Sequence, residues 1–86
     1  MHQPRKQARQ ARSRVTQTAI VEATARLLET QGRNGLTTNA IADRAGVSVG
    51  SLYQYFPNKE AILATLIRDK RQQLLMRMQQ VALETQ

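Results

Sequence analysis

Large apolar side chains are absent from the chain between Met1 and Val15, and from Val15 on they recur at helical spacing. Through about Gln31, the residues Val15, Ala19, Ile20, Ala23 and Leu27 fall on one broad arc at about 100° per residue, while Glu22, Arg26, Glu29 and Arg33 gather on a polar stripe. This pattern predicts an amphipathic helix. Glu22 precedes Arg26, and Glu29 precedes Arg33, by four positions; that orientation adds roughly a few tenths of a kcal/mol to an exposed helix face. Val21, Ala25 and Leu28 lie off the main arc and predict a second apolar contact. Gly32 is the expected left-handed cap.

After the loop Arg33-Asn34-Gly35-Leu36, Thr37-Thr38 offers a hydroxyl N-cap for a short helix through Ala45, with Ile41, Ala42 and Ala45 turned inward. Gly46 ends that helix. Ser48 caps the next, which runs to about Tyr55 before Phe56-Pro57 closes the segment. Asn58 caps a final helix from Lys59 onward, in which Ile62, Leu63, Leu66, Ile67, Leu74, Leu75, Met78 and Val81 recur at steps of three and four. No strand pattern competes. The expected architecture is all-α: a homeodomain-like three-helix unit at residues 15–57 containing a helix-turn-helix, followed by a long connecting helix over residues 58–86.

A helix-turn-helix crosses two short helices steeply, and the crossing dictates residue sizes at fixed offsets. Ile41 is the apolar anchor of the first helix, and Ala42 is small where the axes approach. Gly46 supplies a positive-φ corner, Val47 packs beneath it, and Leu52 anchors the second helix. With Leu52 and the ring of Tyr55 or Phe56 facing inward, the second helix presents Val49, Gly50, Ser51, Tyr53 and Gln54, with Ser48 at its start. A face that is small at one end and polar beyond it suits the major groove of duplex DNA. Gln54 can pair bidentately with adenine, Ser51 can bond several bases, Val49 can touch a thymine methyl group, and Gly50 lets the backbone approach the groove floor. Thr37, Thr38 and Asn39 stand at a helix N-terminus, where backbone N–H groups favour a phosphate, and Lys59 is a further phosphate candidate.

The segment LTTNAIADRAGVSVGSLYQYFPNKEAIL, residues 36–63, closely resembles the N-terminal domain of the tetracycline-repressor (TetR) family. The likeness rests on Thr37-Thr38, Ile41-Ala42, Ala45-Gly46-Val47-Ser48, Gly50, Leu52-Tyr53, Tyr55-Phe56, Asn58-Lys59-Glu60 and Leu63. It extends more loosely over residues 15–70. The resemblance implies a DNA-binding domain that acts as a homodimer on a palindromic operator and usually represses transcription. Family DNA contacts carried over by position fall on Thr38, Asn39, Val49, Gly50, Ser51, Tyr53, Gln54 and Tyr55, with Lys59 on phosphate. Asn39 is shorter than the polar residue that relatives often hold at its position. Family members continue into a further helical domain that binds a small-molecule inducer and makes the main dimer contact. On that basis the chain is expected to be a fragment or a truncated regulator without inducer binding of its own.

Charge sharpens this picture. The chain has 86 residues, with 13 Lys and Arg against 6 Asp and Glu, a net charge of +7. Such a domain seeks polyanions. Arg5, Lys6, Arg9, Arg12 and Arg14 crowd residues 1–14, which are expected to form a flexible basic arm that lies along phosphates or enters the minor groove. There is no cysteine, so no disulfide or thiolate metal site holds the fold, and no cofactor is implied. Residues 1–14 lack the apolar stretch of a secretory signal, which favours the cytoplasm. No apolar run approaches the roughly 20 residues of a bilayer crossing. The single histidine, His2, and the scattered carboxylates argue against catalysis. A membrane-surface peptide would not need the core formed by Ile41, Val47 and Leu52. An aromatic content of 3% leaves few rings for stacking single-stranded bases, against an RNA reader. The main competitor is a protein-docking platform built on the same helix pair without DNA contact.

Overall fold

The computed structural model describes residues 4–85. They form α1 (Pro4–Gln31), a 3₁₀ turn (Arg33–Gly35), α2 (Thr38–Ala45), α3 (Val49–Tyr55) and α4 (Lys59–Glu84). Among the described residues there is no strand, and no helix is long and apolar enough to cross a membrane. The all-α expectation therefore holds.

Caps close the short elements as the sequence predicts. The Thr37 hydroxyl accepts from the Ala40 N–H at 3.0 Å, the Ser48 hydroxyl from Ser51 at 3.0 Å and Asn58 Oδ1 from Ala61 at 2.8 Å. Each satisfies one of the backbone donors that a helix start leaves unpaired. The corner between α2 and α3 is Gly46, at φ 75° and ψ 29°. An added Cβ there would meet nothing within 4 Å, so glycine is required by its backbone angle and not by space. The Val47 N–H returns to the Ala42 carbonyl at 3.0 Å, completing a Schellman-type stop.

A single core joins the helices, with Ile20, Leu36, Ile41, Leu52 and Ile62 fully buried and Ala23, Leu27, Ala42, Phe56 and Leu66 beside them. Burying each of the larger side chains contributes about 1.5–3 kcal/mol. Val21 is buried while Ala25 and Leu28 pack partly against the core, so the second apolar contact of α1 forms, and α1 meets both α2 and α4. Thr24 is the buried polar residue of this core, and its hydroxyl donates back to the Ile20 carbonyl at 2.9 Å.

The structure departs from the sequence expectations in α1. The helix starts at Pro4 instead of Val15, so most of the segment expected to be an arm is helical; residues 1–3 of it lie outside the described residues. Gln, Ala, Arg and Lys are strong helix formers, the first turn tolerates proline, and no β-branched residue intervenes before Val15. Val15 is 69% exposed and takes no part in the core, although its neighbour Arg14 still lines a groove with Phe56. Neither predicted i, i+4 ion pair forms among the described residues; Arg26 instead meets Glu29 at 3.8 Å, and Arg33 lies beyond the helix. Gly32 has φ 71° but ψ −171°, an essentially glycine-only extended conformation and not the left-handed helical one.

The molecule is flat and open, 50 × 49 × 18 Å, with a radius of gyration of 16.0 Å where about 12 Å is usual for this length. The N-terminal turns of α1 and the outer half of α4 cause this, since both run past the core, with nearly all the side chains of residues 7–15 and 71–84 exposed.

Candidate nucleic-acid interface

Helix α3 is held by one face. Leu52 is fully buried, and Phe56, its C-cap residue, is buried behind it. Between the two rings left open by sequence, Phe56 is thus the principal anchor, and Tyr55 is half-buried against the same core. The opposite face carries Gly50, Tyr53 and Gln54, all exposed, flanked by half-buried Val49 and Ser51. Ser48 is exposed, but its hydroxyl is spent on the cap, accepting from the Ser51 N–H and donating to Ser51 Oγ, each at 3.0 Å. The Ser51 hydroxyl proton remains free to donate outward.

Gly50 is informative because nothing in the protein requires it. Its nearest neighbour for an added Cβ is Ser48 Oγ at 3.9 Å, an ordinary contact distance, and its φ is not positive. Glycine inside a helix costs roughly 0.5–1 kcal/mol relative to alanine. The fold therefore bears a penalty on the exposed side of the first turn of α3 without an internal reason.

Two contacts draw the remaining candidates together. Thr38 Oγ1 and the Tyr53 hydroxyl lie 3.0 Å apart, bridging the first turn of α2 to the exposed face of α3. Lys59 Nζ donates to the Leu36 carbonyl at 3.2 Å, which brings the start of α4 beside the start of α2. Thr37 and Asn39 stand exposed at that same end of α2. Thr37, Thr38, Asn39, Tyr53 and Lys59 thus cluster at one rim of α3, and Ser48, Val49, Gly50, Ser51 and Gln54 occupy α3 itself. Neither cross-element bond is visible in the sequence, because both depend on the crossing angle of the helices. Their donor and acceptor chemistry was the only available signal.

Residues 20–66 match the family model described as bacterial regulatory proteins, tetR family. The chain belongs to the TetR family. The match runs from the buried turn of α1 to the inner half of α4 and so covers the whole core described above. Among curated proteins the chain is 36% identical over 61 residues to the fatty acid metabolism regulator protein of Bacillus subtilis (strain 168), covering 71% of this chain and 31% of the relative. It is 42% identical over 48 residues to the class C tetracycline repressor protein of Escherichia coli, covering 56% and 22%. It is 34% identical over 67 residues to the nucleoid occlusion factor SlmA of Marinomonas sp. (strain MWYL1), covering 78% and 34%. The chain thus spans about a third or less of each of these relatives. No solved structure matches it significantly.

Proposed function

We propose that this domain binds duplex DNA sequence-specifically as the reading head of a transcriptional regulator, with α3 in the major groove. The observation that carries the reading is the exposed face of α3, with Gly50 in its first turn and Tyr53 and Gln54 beyond, rimmed by hydroxyls and a lysine at the start of α2 and α4. Gln54 and the free donor of Ser51 face base edges, Val49 meets a thymine methyl group, and Gly50 gives the backbone room to approach. Thr37, Thr38, Asn39, Tyr53 and Lys59 bind phosphate and set the register of α3. Tyr55, half-buried, supports the end of the helix. The family membership and the repressor names of relatives support repression through homodimer binding to a palindromic operator. In such a dimer the two α3 helices sit about 34–36 Å apart, one turn of DNA.

Inducer binding is not expected of this domain by itself. The cleft between α1 and α4, lined by Thr18, Val21, Leu66 and Lys70, holds about 170 Å³, below the roughly 300 Å³ at which ligand pockets begin, and the larger space of about 360 Å³ beside Leu74, Met78 and Val81 is an open face of α4 alone, which no second element closes around a ligand.

Selection from a pool of randomised duplexes tests the function. A recurring half-site, found singly or in inverted pairs, is the expected result. Recovery of duplexes with no common sequence, or no recovery at low salt, overturns it.

A further inference from the structure

The positive charge of this chain does not lie where the sequence is read. Within residues 15–57, Arg26, Arg33 and Arg44 are matched by Glu22, Glu29 and Asp43, so the three-helix unit has no net charge. Arg5, Lys6, Arg9, Arg12 and Arg14 all precede the first acid, Glu22, and hold five of the seven net charges. Of the side chains assigned to the duplex around α3, Lys59 is the one cation, so that face releases few counterions, whereas such release supplies essentially all of non-specific DNA affinity.

The structure gives this charge a shape and a place. The segment is helical from Pro4, with Arg9, Arg12 and Arg14 exposed. Arg9 and Arg12, three residues apart, share one face of α1. Arg14 lines a groove with Phe56, Arg68 and Asp69, so α1 passes the C-terminal end of α3 as it leaves the body. No acid interrupts the run, and among the described residues no carboxylate pairs with Arg9, Arg12 or Arg14.

Resting on the proposed DNA-reading function, we infer that the N-terminal turns of α1 are a separate electrostatic clamp on the duplex backbone beyond the end of α3. The clamp supplies most of the salt-dependent affinity, and α3 supplies the sequence preference. Labour is divided between two helices that project from one core. The clamp binds any duplex, raises the encounter rate and holds the domain near DNA while α3 samples sites.

The test uses the full chain, the duplex recovered by selection and a shuffled duplex of equal length, titrated at several salt concentrations. Replacing Arg9, Arg12 and Arg14 together by Gln keeps helix propensity and exposure while removing three charges. The slope of log affinity against log salt should fall by about 0.9 per lost phosphate contact, up to about 2.7. The ratio of selected to shuffled affinity should stay within about twofold, as expected of contacts to the backbone. Lysine at the same three positions should restore the slope. The inference is overturned by an unchanged slope in the glutamine variant, by a collapse of the selected-to-shuffled ratio, or by failure of the lysine variant to recover. Tighter wild-type binding to phosphatidylserine vesicles than to the shuffled duplex at equal salt also overturns it, by assigning the charge to membranes. Failure of the wild type to prefer the selected duplex strikes the underlying DNA-reading function instead, and it shows before any variant is compared.

Discussion

At Gly50 stability and recognition pull in opposite directions. A methyl group fits there, with its nearest neighbour at 3.9 Å, so Gly50→Ala should raise stability by about 0.5–1 kcal/mol in a urea melt. The same methyl stands on the face proposed to enter the groove, so duplex affinity should fall. A variant that is more stable and binds duplex equally well would take Gly50 out of the DNA contact. Gln54 and Lys59 separate two other roles. Gln54→Ala should relax preference at one base position, with a loss of about 1–3 kcal/mol confined to the cognate pair. Lys59→Met should weaken selected and shuffled duplexes alike. Lys59 also ties α4 to the Leu36 carbonyl, so its thermal stability is to be measured beside its affinity.

Among the elements, α2 and α3 form a unit that rests on few side chains. Leu52 is fully buried in a helix of seven residues, and Leu52→Ala should cost about 2–5 kcal/mol, most of the stability of a domain this small, read as a lost cooperative thermal transition. Elements of this kind were legible in the sequence because their signals are local. A hydroxyl or amide three residues ahead of an N–H finds it wherever the helix lies, so Thr37, Ser48 and Asn58 cap as expected. The outward face of α3 was legible for a related reason, since Leu52 and Phe56 leave it one way to turn. What failed depends on neighbours. Val15 sits on the apolar arc of α1 yet meets nothing, because the arc is buried only where α2 and α4 lie against it. The Thr38–Tyr53 bond joins residues 15 apart in sequence, and only the angle between α2 and α3 makes it possible.

For the molecule as a whole, one domain presents one reading face, and a palindromic site needs two. Fusing a dimerising coiled coil after Gln86 should therefore raise affinity for a duplex with paired half-sites by about 10²–10⁴-fold, while affinity for a single half-site changes little. Equal affinities for the two duplexes would count against dimeric recognition. The outer half of α4 leads in that direction, with Leu74, Leu75, Met78 and Val81 each more than half exposed. Among the described residues no other element backs its turns, so they persist on helix propensity alone. Their amides should therefore exchange with deuterium by fraying, orders of magnitude sooner than amides beside Ile41 or Leu52, which wait for global opening. On warming, the far-ultraviolet dichroism should decline along a slope before the main transition begins, as the unsupported turns melt one by one ahead of the core.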